Sequence, residues 1–283
     1  MVCSDHLSLD RWDLWKDLWA GAIFCSGNGI IWACLFFVYS LLRRERKWRK
    51  MFAGVFFTAG LLAFLYTANC GVNYYRKPFS SYLDLQMGKA TTEDLKALCQ
   101  ELVEKINETA PEEPVDMGLL AQGKLAQTGK AAMEKLGEEY PALSGCYPVP
   151  KPVMVSWILA VQQLCGVYSP FTVEANYNWQ MTGYNIPHTI CHELSHLQGY
   201  MREDEANFIG YLACTSSEDR SFRYSGYLTG WVYAGNALAK ADYEGFIELY
   251  KKLDEKARND LEDNNVFWDR FEGKTAEVST KVN

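Results

Sequence analysis

The sequence predicts a mainly α-helical membrane protein whose larger, C-terminal part adds a small sheet. Three observations predict it. Two charge-free apolar runs lie near the N-terminus, leucines and valines recur at helical spacing after them, and one aromatic, β-branched stretch follows a proline-rich break.

The first apolar run, residues 18–42 ("LWAGAIFCSGNGIIWACLFFVYSLL"), spans about 37 Å as a helix, enough for a bilayer core, and is predicted to be transmembrane. The second, residues 51–75 ("MFAGVFFTAGLLAFLYTANCGVNYY"), is predicted to be a second span with its exit. Between them residues 43–50 read "RRERKWRK", six bases and one acid. The positive-inside rule puts this loop in the cytoplasm, so residues 1–17 and everything after residue 75 are expected outside it. Asp5, Asp10 and Asp13 stand where a cleaved signal peptide carries bases, which argues for an anchor instead. The expected address is therefore the cytoplasmic membrane, multi-pass, with an extracytoplasmic domain.

The chain carries −7 overall, and the +5 of the basic loop leaves −12 for the rest. No basic stripe interleaved with aromatics follows the apolar runs, so nucleic acid is excluded as a partner. Nine cysteines without CxxC spacing fix no disulfide pairing and no compartment. Nothing in the sequence reads out an oligomeric state.

Residues 76–147 read as a helical subdomain. Thr91 or Thr92 is placed to cap a helix that lines up Leu95, Leu98, Leu102, Val103 and Ile106. A second helix, interrupted by glycines, closes near Pro141. "CYPVPKP" (146–152) then breaks the pattern, and residues 148–283 form the second unit. "VMVSWILAV" predicts a strand then a helix, and "GVYSPFTVEANYNW" an extended segment or hairpin. One helix is expected between Pro187 and Gly199, and others over about 203–216, 223–240, 242–256 and 259–270.

The helix after Pro187 carries His192, Glu193 and His196 in HExxH spacing. Residues four apart share one helical side, so both imidazoles can reach one ion while Glu193 addresses a water beside it. Zn²⁺ lowers the proton affinity of such a water and polarises an amide carbonyl. Five letters alone also describe two ordinary surface or half-buried histidines. A catalytic zinc needs a third protein ligand and one open position. Gly199 can turn the chain so that Glu203, Asp204 and Glu205 return to the histidines. Glu203 is the preferred third ligand, ahead of Glu205 and Asp204, against the plainer reading of a solvated acidic first turn. His188, one turn before His192, covers the helix start or closes the ion's fourth position.

This arrangement resembles the glutamate-type zinc proteases, whose second helix carries ExxA followed by Asp or Asn. The resemblance implies a zincin-like α+β domain in which Glu203 supplies the metal oxygen, Ala206 permits close helix packing, and Asn207 supports a histidine ligand. The seven-residue gap from His196 is closer to the HExxHxxG turn of the metzincins, but Arg202 stands where that group places its third histidine.

A wider resemblance covers almost the whole chain. "GVNYYRKPF", "KPVMVS", "GVYSPFTVEANYN", "HELSHLQGYMREDEANFIGYLAC" and "FRYSGYL", in this order, resemble the bacterial membrane family called domain of unknown function 3810. That resemblance implies an outward-facing zinc metallopeptidase with no assigned substrate. It also implies a chain lacking a further hydrophobic helix before the first span and a further segment after "VSTKVN".

Softer candidates surround the metal ligands. Residues 171–178 are expected to form the edge strand that aligns a peptide, with Glu174 and Asn176 binding its end or backbone. Arg223 and Tyr227 are candidate donors, Arg223 toward substrate and Tyr227 toward the tetrahedral oxyanion. The leading expectation is a membrane-anchored, zinc-dependent metallopeptidase hydrolysing peptide or protein amides outside the cytoplasm, with the lipid bilayer as partner. The alternatives are an amidase acting on cell-envelope peptide crosslinks and a non-catalytic sensor or assembly factor with a structural zinc closed by His188. A transporter is disfavoured, because neither apolar run contains an acid or base.

Overall fold

Residues 51–68 contain no charged side chain and so offer water no polar face; they lie within a single helix, α1 (Trp48–Asn69). The computed structural model describes residues 48–83, 88, 90–111 and 119–282. Among them, Met51–Tyr75 is the one stretch long and apolar enough to cross a membrane, and its apolar window is not buried against the rest of the protein. Phe52, Phe56, Phe57 and Phe64 all stand exposed on it.

This corrects the expected fold class. The described residues form a mainly helical protein with one candidate span, not two N-terminal spans. The expected span at 18–42 lies outside the described residues. The multi-pass address falls with it, because placing the basic loop in the cytoplasm and both chain ends outside required a span on each side of that loop.

After α1 the chain makes two 3₁₀ turns, Gly71–Tyr75 and Phe79–Tyr82. Helix α2 (Thr92–Thr109) opens on a capping box: Thr91 Oγ1 accepts from Asp94 N at 3.1 Å, and the Asp94 carboxylate accepts from Thr91 N at 2.9 Å. Helix α3 (Leu119–Glu139) ends before Pro141, which begins a 3₁₀ turn to Leu143. Three short strands follow, with a one-and-a-half-turn helix, α4 (Ser156–Val161), after the first. They are β1 (Lys151–Pro152), β2 (Gly166–Ser169) and β3 (Glu174–Tyr177). The sheet order is β1-β3-β2: β3 is central, parallel to β1 and antiparallel to β2, with Val167 opposite Asn176 and Gly166 opposite Tyr177.

The C-terminal half is helical: α5 (Asn185–Leu197), α6 (Glu203–Thr215), α7 (Arg220–Ala241), α8 (Tyr243–Tyr250) and α9 (Glu255–Val282). Two cores hold it together. In one, Ile186, Ile190 and Leu194 of α5 meet Met133 of α3, Tyr177 of β3 and Phe222 of α7. In the other, Val103 and Ile106 of α2 pack with Leu228 and Trp231 of α7 and Leu249 of α8. Helix α5 is thus packed against α3, α6, α7, β2 and β3. Its surroundings hold the two HExxH histidines in fixed orientation.

Candidate metal centre

Helix α5 starts with Asn185, so Pro187 falls in its first turn, where a backbone N–H has no intrahelical partner to lose. One turn apart, His192 and His196 then point the same way. The helix stops at Leu197 because Gly199 enters the left-handed region at φ +91°. Gly199 N donates to His196 O at 2.9 Å and Tyr200 N to Ser195 O at 3.2 Å, closing the turn. Four residues after Gly199, α6 begins with Glu203, whose carboxylate lies against the α5 histidines.

Three donor atoms converge there. His192 Nε2 lies 3.2 Å from Glu203 Oε2, His196 Nε2 lies 3.3 Å from Glu203 Oε1, and the two Nε2 atoms are 3.0 Å apart. Donors about 2.0–2.1 Å from one tetrahedral ion sit about 3.3–3.4 Å from each other, close to this spacing. The outer nitrogens fix the tautomers. His192 Nδ1 is 2.9 Å from Asn207 Oδ1 and His196 Nδ1 is 2.8 Å from Tyr200 O, both acceptors. In its neutral form each ring therefore carries its hydrogen on Nδ1 and turns the Nε2 lone pair inward, the form that binds a metal. Among the described residues, His192, His196 and Glu203 form a group able to hold a metal ion.

The electrostatics call for a cation at the same point. Burial opposes a charge on His196, yet the Glu203 carboxylate, helped by Glu193, raises it to about 9. Packing around Glu203 also opposes its charge, yet the two imidazoles hold its carboxyl well below the usual range. The carboxylate favours positive charge at a place where three lone-pair donors already converge.

His188 takes no part in this group. Its Nε2 is 3.2 Å from the Asn207 carbonyl and its backbone N–H donates to Ser225 Oγ at 3.0 Å. Burial, and secondarily the neighbouring His192, pull it down to about 3, so the ring is neutral and donates to that carbonyl. Glu205 is committed elsewhere too, accepting from Phe79 N at 2.7 Å, and Asp204 pairs with Arg202 at 3.2 Å.

The donors lie in a cleft of about 330 Å³ that Glu193, itself buried, and Asn207 also line. Glu203 keeps 54 % of its side chain exposed, so the third donor is reachable. Strand β2 forms part of the wall with Gly166, Val167 and Tyr168. Gly166 is glycine for a steric reason: a Cβ there would sit 2.5 Å from Glu193 Oε1 and 2.8 Å from Asn176 O. Helix α9 adds Asn264 and Trp268. Asn264 Oδ1 accepts from Asn185 Nδ2 at 2.6 Å and from Trp268 Nε1 at 3.0 Å, tying that wall to the start of α5.

Other expected site residues lie away from the cleft. Strand β3, expected at the sheet edge, is central, because β1 pairs with its second side; the edge facing the cleft is β2. Glu174 on β3 pairs with Lys151, and Asn176 Nδ2 is within 3.5 Å of Val167 O. Arg223 donates to the carbonyls of Ser217 and Glu218 at 2.8 and 2.7 Å, closing the turn before α7. Tyr227 packs on the α2 side of α7, with its ring 6.3 Å from that of Tyr211; the α7 tyrosine at the cleft is Tyr233.

The cleft residues missed by motif reading do leave a periodic trace. Tyr66, Cys70 and Tyr74 recur every four residues at the end of the apolar run, as do Asn264, Trp268 and Glu272 along the last helix, and all six line the cleft. Gly166 left no trace, since its role depends on a side chain 27 positions later.

The family model described as "Protein of unknown function (DUF3810)" matches residues 20–283, and the chain belongs to that family. No curated protein matches it. No solved structure does either.

Proposed function

We propose that this member of the DUF3810 family is a zinc-dependent peptidase, with His192, His196 and Glu203 as metal ligands and Glu193 as general base. The observation that carries the proposal is the convergence of two Nε2 atoms and a carboxylate in an open cleft lined by Glu193 and by β2, an outer strand of the sheet among the described residues. Zinc bound there would lower the proton affinity of a water and polarise the substrate carbonyl.

The chain's own residues would do the rest. Asn207 and Tyr200 O hold the two imidazoles in the metal-binding tautomer. Glu193 takes a proton from the attacking water and returns it to the leaving amine. Gly166 lets β2 pass against Glu193, so a substrate strand added to the β2 edge would place an amide beside that carboxylate. His188, the residue that would close a structural zinc site, is turned to Asn207 O, which favours the catalytic reading over the structural one.

The test is elemental analysis of the detergent-purified chain, wild type against Glu203→Ala and Glu205→Ala, at matched folding. One zinc per chain is expected in wild type and Glu205→Ala and a loss in Glu203→Ala. A chain that takes up no zinc on reconstitution refutes the proposal. Glu193→Gln should keep the metal and lose cleavage of peptide libraries read by mass spectrometry.

A further inference from the structure

The cleft is built partly from the end of the candidate span. Tyr66, Cys70 and Tyr74 line it, and Tyr66 still belongs to α1. Counted from Met51, a hydrocarbon core of about 30 Å takes up about 20 helical residues and so ends near Cys70. Tyr66 and Tyr74 then sit at the level where tyrosine rings settle in bilayers, and the lip of the cleft sits with them.

This end of the helix is fastened to the site. Asn69 Nδ2 donates to Pro170 O at 2.7 Å, and Tyr168 Oη donates to Asn69 O at 3.2 Å, which joins α1 to the strand beside Glu193. Cys70 Sγ lies 3.5 Å from Met201 Sδ, two residues before Glu203. Arg76 donates to Gln198 O and, at 3.1 Å, to Ala142 O, and it lies 4.2 Å above the Tyr200 ring. Tyr200 is the residue whose carbonyl orients His196. The end of the span is therefore fixed to the strand beside Glu193 and to the turn that joins the two metal-bearing helices, and it cannot act as a loose tether.

We infer that the substrate is the membrane-proximal segment of another bilayer-inserted polypeptide, cut within about five residues of where it leaves the hydrocarbon. This rests on the peptidase reading. A chain emerging beside α1 gains about 3.3 Å per extended residue, and the level of Cys70 already meets Met201, two residues before Glu203, so a few extended residues carry it to the cleft. A bond further out on the same polypeptide would have to fold back to reach a cleft held at the membrane surface.

The experiment uses the full chain, zinc-loaded, in phosphatidylethanolamine/phosphatidylglycerol vesicles. Three reporters share one randomised twelve-residue segment: directly after a single transmembrane helix, after the same helix with a forty-residue spacer, and free in solution. Mass spectrometry should find cuts in the first reporter, clustered within about five residues of the helix, and at least roughly tenfold slower cleavage of the other two. Equal or faster cleavage of the spaced or free segment overturns the inference and leaves the peptidase reading standing. No cleavage of any reporter by a chain with full zinc refutes both. A fourth reporter carries the same segment on a lipid, and its cleavage with the three polypeptide reporters spared overturns the substrate assignment in favour of an envelope amidase. A second readout needs no turnover: Glu193→Gln with a photoreactive residue at 74, or at 233, should cross-link to the first reporter and not to the spaced segment. Cross-linking equal for both overturns the inference.

Discussion

Removing the acceptor behind His192 tests the metal centre without any substrate. In Asn207→Ala the His192 Nδ1–H loses the oxygen 2.9 Å away that now fixes its tautomer and ring orientation. One such hydrogen bond contributes about 1 kcal/mol, and freeing the ring to flip and to place its hydrogen on Nε2 adds a comparable cost to ligation. Zinc affinity should fall roughly 10- to 100-fold, or about 1.4–2.7 kcal/mol. Asn207→Asp keeps the acceptor and charges it, so affinity should be retained or increased. The assay is competition with a chromophoric chelator at fixed pH, with circular dichroism as the folding control. An Ala variant that binds zinc as tightly as wild type would refute the assigned role of Asn207, and equal losses in Ala and Asp would show that the site needs the amide for another reason.

Three further outcomes are expected. In the metal-free chain His196 is raised to about 9, so near pH 7 zinc must displace a proton; apparent affinity should rise about tenfold per pH unit from 7 toward 9, with release of about one proton measured by calorimetry in two buffers. Affinity that stays flat over that range would mean that His196 is neutral in the metal-free state. Gly166→Ala brings a Cβ to within 2.5 Å of Glu193 Oε1, so the carboxylate or strand must move by about 1 Å; turnover should drop about 100-fold with zinc content unchanged, and loss of zinc would contradict a purely positional effect. Arg76→Ala removes two carbonyl contacts and the cover over Tyr200, and thermal unfolding should report a loss of about 1–2 kcal/mol, small because the side chain is exposed.

The geometry of the candidate metal ligands was legible because it is local. Helical period places His192 over His196, a left-handed Gly199 turns the chain, and Asn207 follows Glu203 by one turn on the same face of α6. What could not be read depends on partners distant in sequence. The two-residue strand Lys151–Pro152 has no pattern of its own, yet by pairing with the far side of β3 it makes β2 the edge and withdraws Glu174 and Asn176 from the cleft. Tyr227 and Tyr233 lie on one helix, and only the packing of α2 against α7 decides which of them faces inward. The hairpin expectation went astray for a related reason: apolar length is a property of each segment, whereas sidedness needed two spans, and the described residues contain one.

The same contrast explains why the end of α1 was read only as an anchor. Hydropathy weighs Tyr66, Cys70 and Tyr74 as the fading edge of an apolar run, and nothing in that measure distinguishes a helix that stops at the membrane surface from one that continues into a site. The four-residue spacing does distinguish them, because it gives the end of the helix a face of its own. The chain there meets the edge strand through Tyr168, whose hydroxyl donates to Asn69 O, and the nearby Asn73 sits 3.1 Å from where a side chain on Gly199 would start. Gly199 thus answers to two demands at once, the left-handed turn that ends α5 and the close approach of the segment leaving the span. A bulkier residue there should therefore disturb zinc binding and the seating of the membrane helix together, and not one without the other.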